Sequence, residues 1–118
     1  MENNRPTEHR LTWTVTENLT AYEIGPEGAG IFSTPNMINL MEIACMELAK
    51  HYIQDNQYTV GAEVHCRHLK PTPVGMKATA HAKLRSVEGR KFWFDVEVFD
   101  EEGKCGEGSH LRAAITRK

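Results

Sequence analysis

One carboxylate borders an apolar helix face in this chain. At about 100° per residue, the segment 34–54 places its apolar side chains along one face, and Glu42 lies at the edge of that face between Ile38 and Ala49. No Lys or Arg lies one helical turn away to pair with Glu42. Apolar surroundings disfavour the ionised form of a carboxylate, which suits a general acid or base. Glu42 is therefore the first candidate catalytic residue, and we expect it to be shielded from water.

His68 is a second polar side chain in an apolar register. It closes an alternating run in which every second residue is predicted to face the helix, and that face holds Val60, Ala62, Val64, Cys66 and His68. A strand-end histidine bonded to a backbone carbonyl is the structural alternative. A glutamate and a histidine directed to the same side can, however, divide acid and base roles between them.

Thr34 is the third candidate, at the predicted helix start before Pro35. An N-cap role would explain it, and Ser33 competes for that role. The helix N-terminus also offers unpaired N–H groups and a positive dipole end, which stabilise a carbonyl oxygen as it gains negative charge. Glu42 lies two turns further on, about 12 Å by helical rise. Contact within one chain is therefore not assured, and a dimer would close the gap.

The remaining histidines do not predict a metal site. His65 and His68 are three residues apart on a strand, so their side chains point to opposite faces. His81 and His110 are scattered, and we expect them to be structural or solvent-facing. The sequence contains neither a phosphate-binding glycine loop that leads into a helix with a lysine nor a G-x-S-x-G nucleophile elbow.

The pattern of elements predicts how these residues are held. A short strand at 10–15, a glycine-rich loop at 25–30 and a helix at 35–54 precede four alternating runs joined by short turns, at 60–68, 76–85, 91–98 and 104–116. Short turns make neighbouring strands antiparallel. The helix must bury a broad face and the sheet one side, so we expect an α+β arrangement of about five antiparallel strands curled around one long central helix.

Length and composition indicate one globular domain. The chain has 118 residues and a net charge of −2, with 40% hydrophobic and 25% charged residues. We expect residues 1–9 to form a flexible tail and residues 10–118 a single domain. No basic field suggests nucleic acid, and no apolar run approaches the roughly 20 residues of a membrane span. A polar N-terminus and three widely spaced cysteines predict a reducing, cytoplasmic location.

At this level of detail the chain resembles the hotdog-fold thioesterases, and among them the fluoroacetyl-CoA thioesterase group. The likeness extends over about residues 31–115. The motifs that carry it are Phe32-Ser33-Thr34, the helical segment 40–45, Val60-Gly61, His68, and the segments 72–76, 84–90 and 108–112. The spacing of Thr34, Glu42 and His68 is the most specific of these features, whereas the turns are shared by many hotdog proteins.

The resemblance implies a catalytic set of Thr34, Glu42 and His68. It also implies substrate-binding roles for Gly61, through a backbone N–H to the substrate carbonyl, and for Phe32 and Arg112. Such enzymes need no metal or other cofactor, since coenzyme A is part of the substrate. They are homodimers, in some cases paired into dimers of dimers, with the site at the subunit interface.

The implied activity is hydrolysis of a short or small acyl-CoA to free acid and coenzyme A. Residues 23–32 are short and glycine-rich where fluoroacetyl-selective enzymes carry an aromatic-rich lid. Two alternatives stay open: a non-catalytic module that binds or senses acyl-CoA, and a hydroxyacyl-thioester dehydratase on the same fold. The absence of a His-Phe-Pro-like segment before the helix argues against the dehydratase.

Overall fold

The computed structural model describes residues 4–20 and 30–118 and contains one five-stranded antiparallel sheet wrapped around one long helix. The strands lie in the order β1-β3-β4-β5-β2. Their bounds are β1 (Glu8–Thr14), β2 (Gln57–His68), β3 (Lys77–Glu88), β4 (Lys91–Asp100) and β5 (Gly103–Thr116). Helix α1 (Thr34–Ala49) connects the first two strands, with a 3-10 turn at Glu17–Leu19 before it and another at Lys50–Tyr52 after it. This is the predicted α+β arrangement.

Helix α1 buries the face that its periodicity predicts. The buried residues recur at three- and four-residue intervals, which matches one side of a helix, and they are Met37, Leu40, Met41, Ala44, Cys45, Leu48 and Ala49. The α-helix ends at Ala49 rather than at residue 54, because the chain tightens into the 3-10 turn at Lys50–Tyr52. This packing fixes the helix against the sheet and sets the direction in which its N-terminus points.

The sheet supplies the other half of the core. Four side chains of β4 alternate inward as predicted, namely Phe92, Phe94, Val96 and Val98. Opposite them, β3 contributes three buried alanines, Ala78, Ala80 and Ala82. Small side chains on β3 leave room for the helix to approach the sheet closely, while the aromatic residues of β4 fill the space beside it.

The first strand begins earlier than the sequence predicts. β1 begins at Glu8, so Glu8 and His9 belong to the sheet rather than to the tail expected for residues 1–9. Each has a partner, since Glu8 contacts His81 at 2.6 Å and His9 contacts Glu47 of α1 at 2.7 Å. Residues 1–3 and nearly all of the predicted glycine-rich loop at 25–30 lie outside the described residues, which resume at residue 30.

β2 contains an irregularity that reverses its facing pattern. The pairing with β5 runs from Gln57 to Gly61 and resumes at Glu63, so Ala62 is an extra residue in the ladder. One inserted residue inverts the alternation of side chains. The prediction that Val60 and Ala62 share the inward face is therefore wrong, because both are exposed and Val60 pairs with outward-facing Ala113. Beyond the bulge, Cys66 and His68 do point toward the helix side.

The strand order leaves β1 and β2 at the two edges of the sheet. β2 carries three of the large apolar side chains that stay exposed, Tyr58, Val60 and Val64. Within residues 4–20 and 30–118, no helix combines the length and the apolar character needed to span a bilayer.

Candidate active site

Two adjacent hydroxyl side chains have different tasks at the start of α1. Ser33 is the N-cap, and its Oγ accepts hydrogen bonds from the backbone N–H of Asn36 at 3.2 Å and from the Asn36 side-chain amide at 2.8 Å. Pro35 lies within the first two helical positions, where its missing N–H has no consequence. The cap assignment to Thr34 is thus wrong, and Ser33 leaves the Thr34 hydroxyl available for another partner.

That partner is His68. The Thr34 Oγ1 atom and the His68 Nδ1 atom are 2.6 Å apart, a short hydrogen bond between the helix start and the last residue of β2. The second ring nitrogen, Nε2, is buried and has no hydrogen-bond partner among the described residues. A buried ring nitrogen without a partner is costly unless a ligand or a reacting group satisfies it. The pair therefore presents one unsatisfied polar atom beside a hydroxyl.

Burial shifts the imidazole of His68 toward its neutral form. Burial lowers the pKa of His68 below its ordinary value, because desolvation disfavours the imidazolium ion. A neutral imidazole carries one N–H and one lone pair. If Thr34 donates to Nδ1, then Nδ1 can accept the hydroxyl proton as a base. If Nδ1 donates to Thr34, then Nε2 carries the lone pair and can act as a base.

Thr34 and His68 line a cleft of about 340 Å³ at the helix N-terminus. The other lining residues are mostly apolar, namely Ile31, Phe32, Ser33, Leu69, Lys70 and Pro71. Phe32 is fully buried, and its backbone N–H donates to the Thr72 carbonyl at 2.8 Å. A larger hollow of about 610 Å³ lies on the outer face of the sheet, but it contains none of the predicted site residues.

Glu42 is more exposed than the sequence predicts. Its side chain is 37% accessible to solvent in the single chain, so the expectation of a shielded carboxylate is wrong for one chain alone. The reason is its neighbour on the sheet, since Glu42 faces the edge strand β2 at a position occupied by a glycine, Gly61. In the described part of the chain, no further strand lies beyond β2 to cover it.

Gly61 has no side chain where the carboxylate needs space. A Cβ atom at this position would lie 2.7 Å from Glu42 Oε2, 3.2 Å from His110 Cε1 and 3.6 Å from an Nη1 atom of Arg112. The first distance is shorter than real Cβ contacts allow, so any larger residue would displace the carboxylate. The predicted site residues Gly61, Glu42 and Arg112 therefore meet around one point.

A buried histidine–arginine pair on β5 lies behind Glu42. His110 is 1% exposed and Arg112 is 6% exposed, and His110 Nε2 lies 4.0 Å from Glu42 Oε2. His110 was expected to be structural or solvent-facing, and its burial excludes the solvent-facing alternative. The available signal was the two-residue spacing of His110 and Arg112, which places both on one face of a strand.

The structure thus divides the predicted residues into two groups. Thr34 and His68 are in contact at the helix start, whereas Glu42 lies with Gly61 and Arg112 eight residues further along α1, about 12 Å by helical rise. The single chain does not bring Glu42 to the Thr34–His68 pair.

Metal-ligating side chains do not converge in the described part of the chain. No group of three or more His, Cys, Asp or Glu side chains there has the arrangement of a metal site. His65 and His68 point to opposite faces of β2, since His65 is 73% exposed beside Glu63 and His68 is bonded to Thr34.

Comparison with known proteins places these features in a family context. Residues 15–118 match the family described as FlK, fluoroacetyl-CoA-specific thioesterase. The fluoroacetyl-CoA thioesterase of Streptantibioticus cattleyicolor is 36% identical over 85 residues, which is 72% of this chain. That match spans 61% of the length of the curated relative.

Solved structures share the fold. The fluoroacetyl-CoA thioesterase FlK superimposes with a TM-score of 0.83 at 32% identity, covering 92% of this chain and 85% of that one. A Thermus thermophilus member of the thioesterase superfamily gives a TM-score of 0.86 at 25% identity, over 96% and 87% of the two chains. A hot-dog-like protein of Thermanaerovibrio acidaminovorans also has a TM-score of 0.86, and at 19% identity it supports the fold alone. The sheet wrapped around one helix is therefore the hotdog fold.

Proposed function

Because the chain belongs to the family of fluoroacetyl-CoA-specific thioesterases, we propose that it hydrolyses a short or small acyl-CoA to free acid and coenzyme A. The observation that carries the proposal is the 2.6 Å contact between Thr34 Oγ1 and His68 Nδ1 at a helix N-terminus, with Nε2 left without a partner in the described residues. A hydroxyl bonded to an imidazole at the positive end of a helix dipole is an arrangement that acyl transfer can use.

The proposed active unit is a homodimer formed through β2. This strand has an unpaired edge and exposes Tyr58, Val60 and Val64, which a second copy would cover. Two β2 strands related by a two-fold axis run antiparallel. With the axis at His65 and Ala62 as the extra residue, Gly61 of one subunit lies opposite His68 of the other. In this register, Glu42 of one subunit meets Thr34 and His68 of its partner, and the 12 Å gap along the helix closes.

The proposed chemistry is addition of water to a thioester carbonyl. The carbonyl oxygen accepts hydrogen bonds at the helix start and from the backbone N–H of Gly61, which stabilise the oxyanion that forms. Glu42 removes a proton from the attacking water, and the resulting hydroxide adds to the carbonyl carbon. The C–S bond then breaks, and the proton that Glu42 took from water passes through His68 to the departing thiolate of coenzyme A, so that both residues return to their starting states. Attack by Thr34 or Glu42 through an acyl-enzyme is the covalent version of the same reaction.

We propose that the protein is cytoplasmic. Cys45, Cys66 and Cys105 are all free thiols, as expected where glutathione keeps cysteines reduced. No metal or redox cofactor takes part in the proposed steps, and coenzyme A enters only as part of the substrate.

A thiol-release assay tests the proposal. The purified protein is incubated with a panel that includes acetyl-CoA, fluoroacetyl-CoA, and longer and aromatic acyl-CoAs, and free coenzyme A is measured. We expect turnover of small acyl groups that falls by about 100-fold or more in Glu42→Gln and in His68→Ala. The matched controls are Glu47→Gln on the same helix, which pairs with His9, and His51→Ala on the exposed 3-10 turn.

The alternatives give different results in the same assay. Tight binding of acyl-CoA without turnover identifies a binding module, and loss of water from 3-hydroxyacyl-CoA identifies a dehydratase. Turnover that survives both substitutions would mean that the reaction takes place elsewhere on the protein.

A further inference from the structure

The proposed hydrolysis does not use His110, although this residue is among the most deeply buried polar groups of the described chain. It lies on β5 with Phe94 of β4 stacked against its ring at a centroid distance of 6.4 Å. A histidine in such a place has to be satisfied at both ring nitrogens. Its contacts therefore define its chemical state.

Both contacts of His110 select a single tautomer. Nδ1 lies 2.8 Å from the backbone carbonyl oxygen of Glu63, which can only accept, so Nδ1 carries the proton. Nε2 lies 3.1 Å from an Nη1 atom of Arg112, which can only donate, so Nε2 is unprotonated. Burial lowers the pKa of His110, and the nearby Arg112 guanidinium acts in the same direction, which agrees with a neutral ring.

Arg112 is fixed by three hydrogen bonds. Its Nε donates to Thr59 Oγ1 at 2.8 Å, one Nη2 donates to the Thr59 carbonyl at 2.9 Å, and Nη1 donates to His110. The plane of the guanidinium is therefore determined by one residue of β2 and one of β5. Its positive charge faces Glu42, because both groups lie within 3.6 Å of the point where a Cβ of Gly61 would be.

We propose that His110 is a positioning residue, which accepts a hydrogen bond from Arg112 and so holds the guanidinium where it orients the Glu42 carboxylate. This inference rests on the proposed function for the role of Glu42 in catalysis. It assigns His110 no contact with substrate. The acceptor at Nε2 is the property that matters, because without it Arg112 Nη1 loses its partner inside the protein and the guanidinium is held by Thr59 alone, through Nε and Nη2.

The polar groups around His110 come from several elements packed against it. Helix α1 contributes Glu42 and Cys45, β2 contributes Thr59 and the backbone carbonyl of Glu63, and β5 contributes Arg112. The neighbour from β4 is the uncharged Phe94. Glu42 is the single anion that faces Arg112 from these described elements, so a shift of the guanidinium changes the position of the positive charge beside the proposed base.

Three substitutions of His110 separate its two hydrogen bonds. His110→Gln provides an acceptor near the position of Nε2, His110→Asn provides a donor near the position of Nδ1, and His110→Phe keeps a ring without either. The surface variant His51→Gln is the matched control. The midpoint of thermal unfolding is recorded for each variant, so that rates are compared between folded proteins.

Kinetics on the dimer give the first readout. We expect His110→Gln to keep kcat within about threefold of the parent, while His110→Asn and His110→Phe lower kcat by about tenfold or more with KM within about twofold. Equal losses in folded Gln and Phe variants, or no loss in any variant, would overturn the inference.

An NMR measurement gives a second readout that needs no substrate. The hydrogen-bonded Nη1–H signal of Arg112, assigned by its loss in Arg112→Lys, should be present and protected from solvent exchange in the parent and in His110→Gln, and should broaden or disappear in His110→Phe. An unchanged signal in His110→Phe contradicts the positioning role whether or not the protein hydrolyses thioesters. If no acyl-CoA is hydrolysed and the signal behaves as expected, the proposed function fails while the assignment of His110 to Arg112 stands.

Discussion

Ser33 and Thr34 show how adjacent residues of similar chemistry acquire different roles. The Ser33 hydroxyl completes the hydrogen bonding of the helix start, and this leaves the Thr34 hydroxyl to His68. From the sequence, both residues were possible N-caps of α1. Backbone geometry decides between them, since only a residue outside the helix, with an extended ψ of 152° as at Ser33, can direct its side chain back to the N–H groups of the first turn.

Gly61 provides a test of the Glu42 geometry. In Gly61→Ala the new Cβ would lie 2.7 Å from Glu42 Oε2, so the carboxylate must move, and we expect kcat/KM to fall by about tenfold or more. The fold should persist, because no positive φ is recorded at this position. Gly30→Ala is the control, since a Cβ there meets nothing within 4 Å. Equal activity of the two variants would show that the close approach of Glu42 to β2 has no catalytic importance.

The buried histidines predict how stability depends on pH. Burial lowers the pKa values of His68 and His110 in the folded protein, whereas in the unfolded chain both protonate near pH 6.5. Below that pH the unfolded state binds more protons, so the free energy of unfolding should decrease as pH falls from 7.5 to 5.5. Urea unfolding at several pH values measures this slope. It should be shallower in His110→Gln, and an identical slope would contradict a neutral His110.

At the scale of elements, the cap of α1 has a measurable effect on stability. Ser33→Ala removes the acceptor for the Asn36 N–H, and we expect the free energy of unfolding to decrease by about 1 kcal/mol. Ser86→Ala, on a half-exposed position of β3, is the control. Urea denaturation of the two variants measures the difference. A Ser33→Ala protein as stable as the parent would mean that Thr34 or water takes over the cap.

Elements with an uninterrupted period were predictable from the sequence. The alternation of Phe92, Phe94, Val96 and Val98 placed β4 correctly, and the helical period of α1 identified its buried face. β2 was only half predictable, because the extra residue Ala62 inverts the facing pattern within the strand. Gly61 is a local sign of a bulge, because a glycine inside a strand often marks one, but which residue is left out of the ladder depends on pairing with β5.

Prediction of the site from the sequence was limited in the same way, by contacts between distant parts of the chain. The family resemblance grouped Thr34, Glu42 and His68 as one set, and the structure brings Thr34 and His68 into contact. Sequence analysis missed the cluster of His110, Arg112 and Thr59, because that cluster depends on which strand lies beside β5. Strand order in a sheet is set by tertiary packing and is not encoded in the spacing of residues along one strand.

At the scale of the whole molecule, β2 has the features of an interface. Its exposed apolar residues and free edge predict that the protein is a dimer in solution. We expect Val60→Lys to shift the sedimentation mass toward that of one chain and to abolish hydrolysis, because a charged side chain disfavours pairing at this edge. Val87→Lys is the control, since Val87 on β3 is 46% exposed and lies away from this edge. A dimer that survives Val60→Lys with full activity would place the interface elsewhere.

In the proposed dimer, Glu42 of one subunit acts with Thr34 and His68 of the other. A heterodimer of one Glu42→Gln chain and one His68→Ala chain, purified through two different affinity tags, tests it directly. If each site draws on both subunits, one of the two sites keeps all three residues, and thiol release should reach about half the rate of the parent dimer. If each site lies within one chain, both sites are damaged, and a rate no higher than that of the two inactive homodimers would contradict the account.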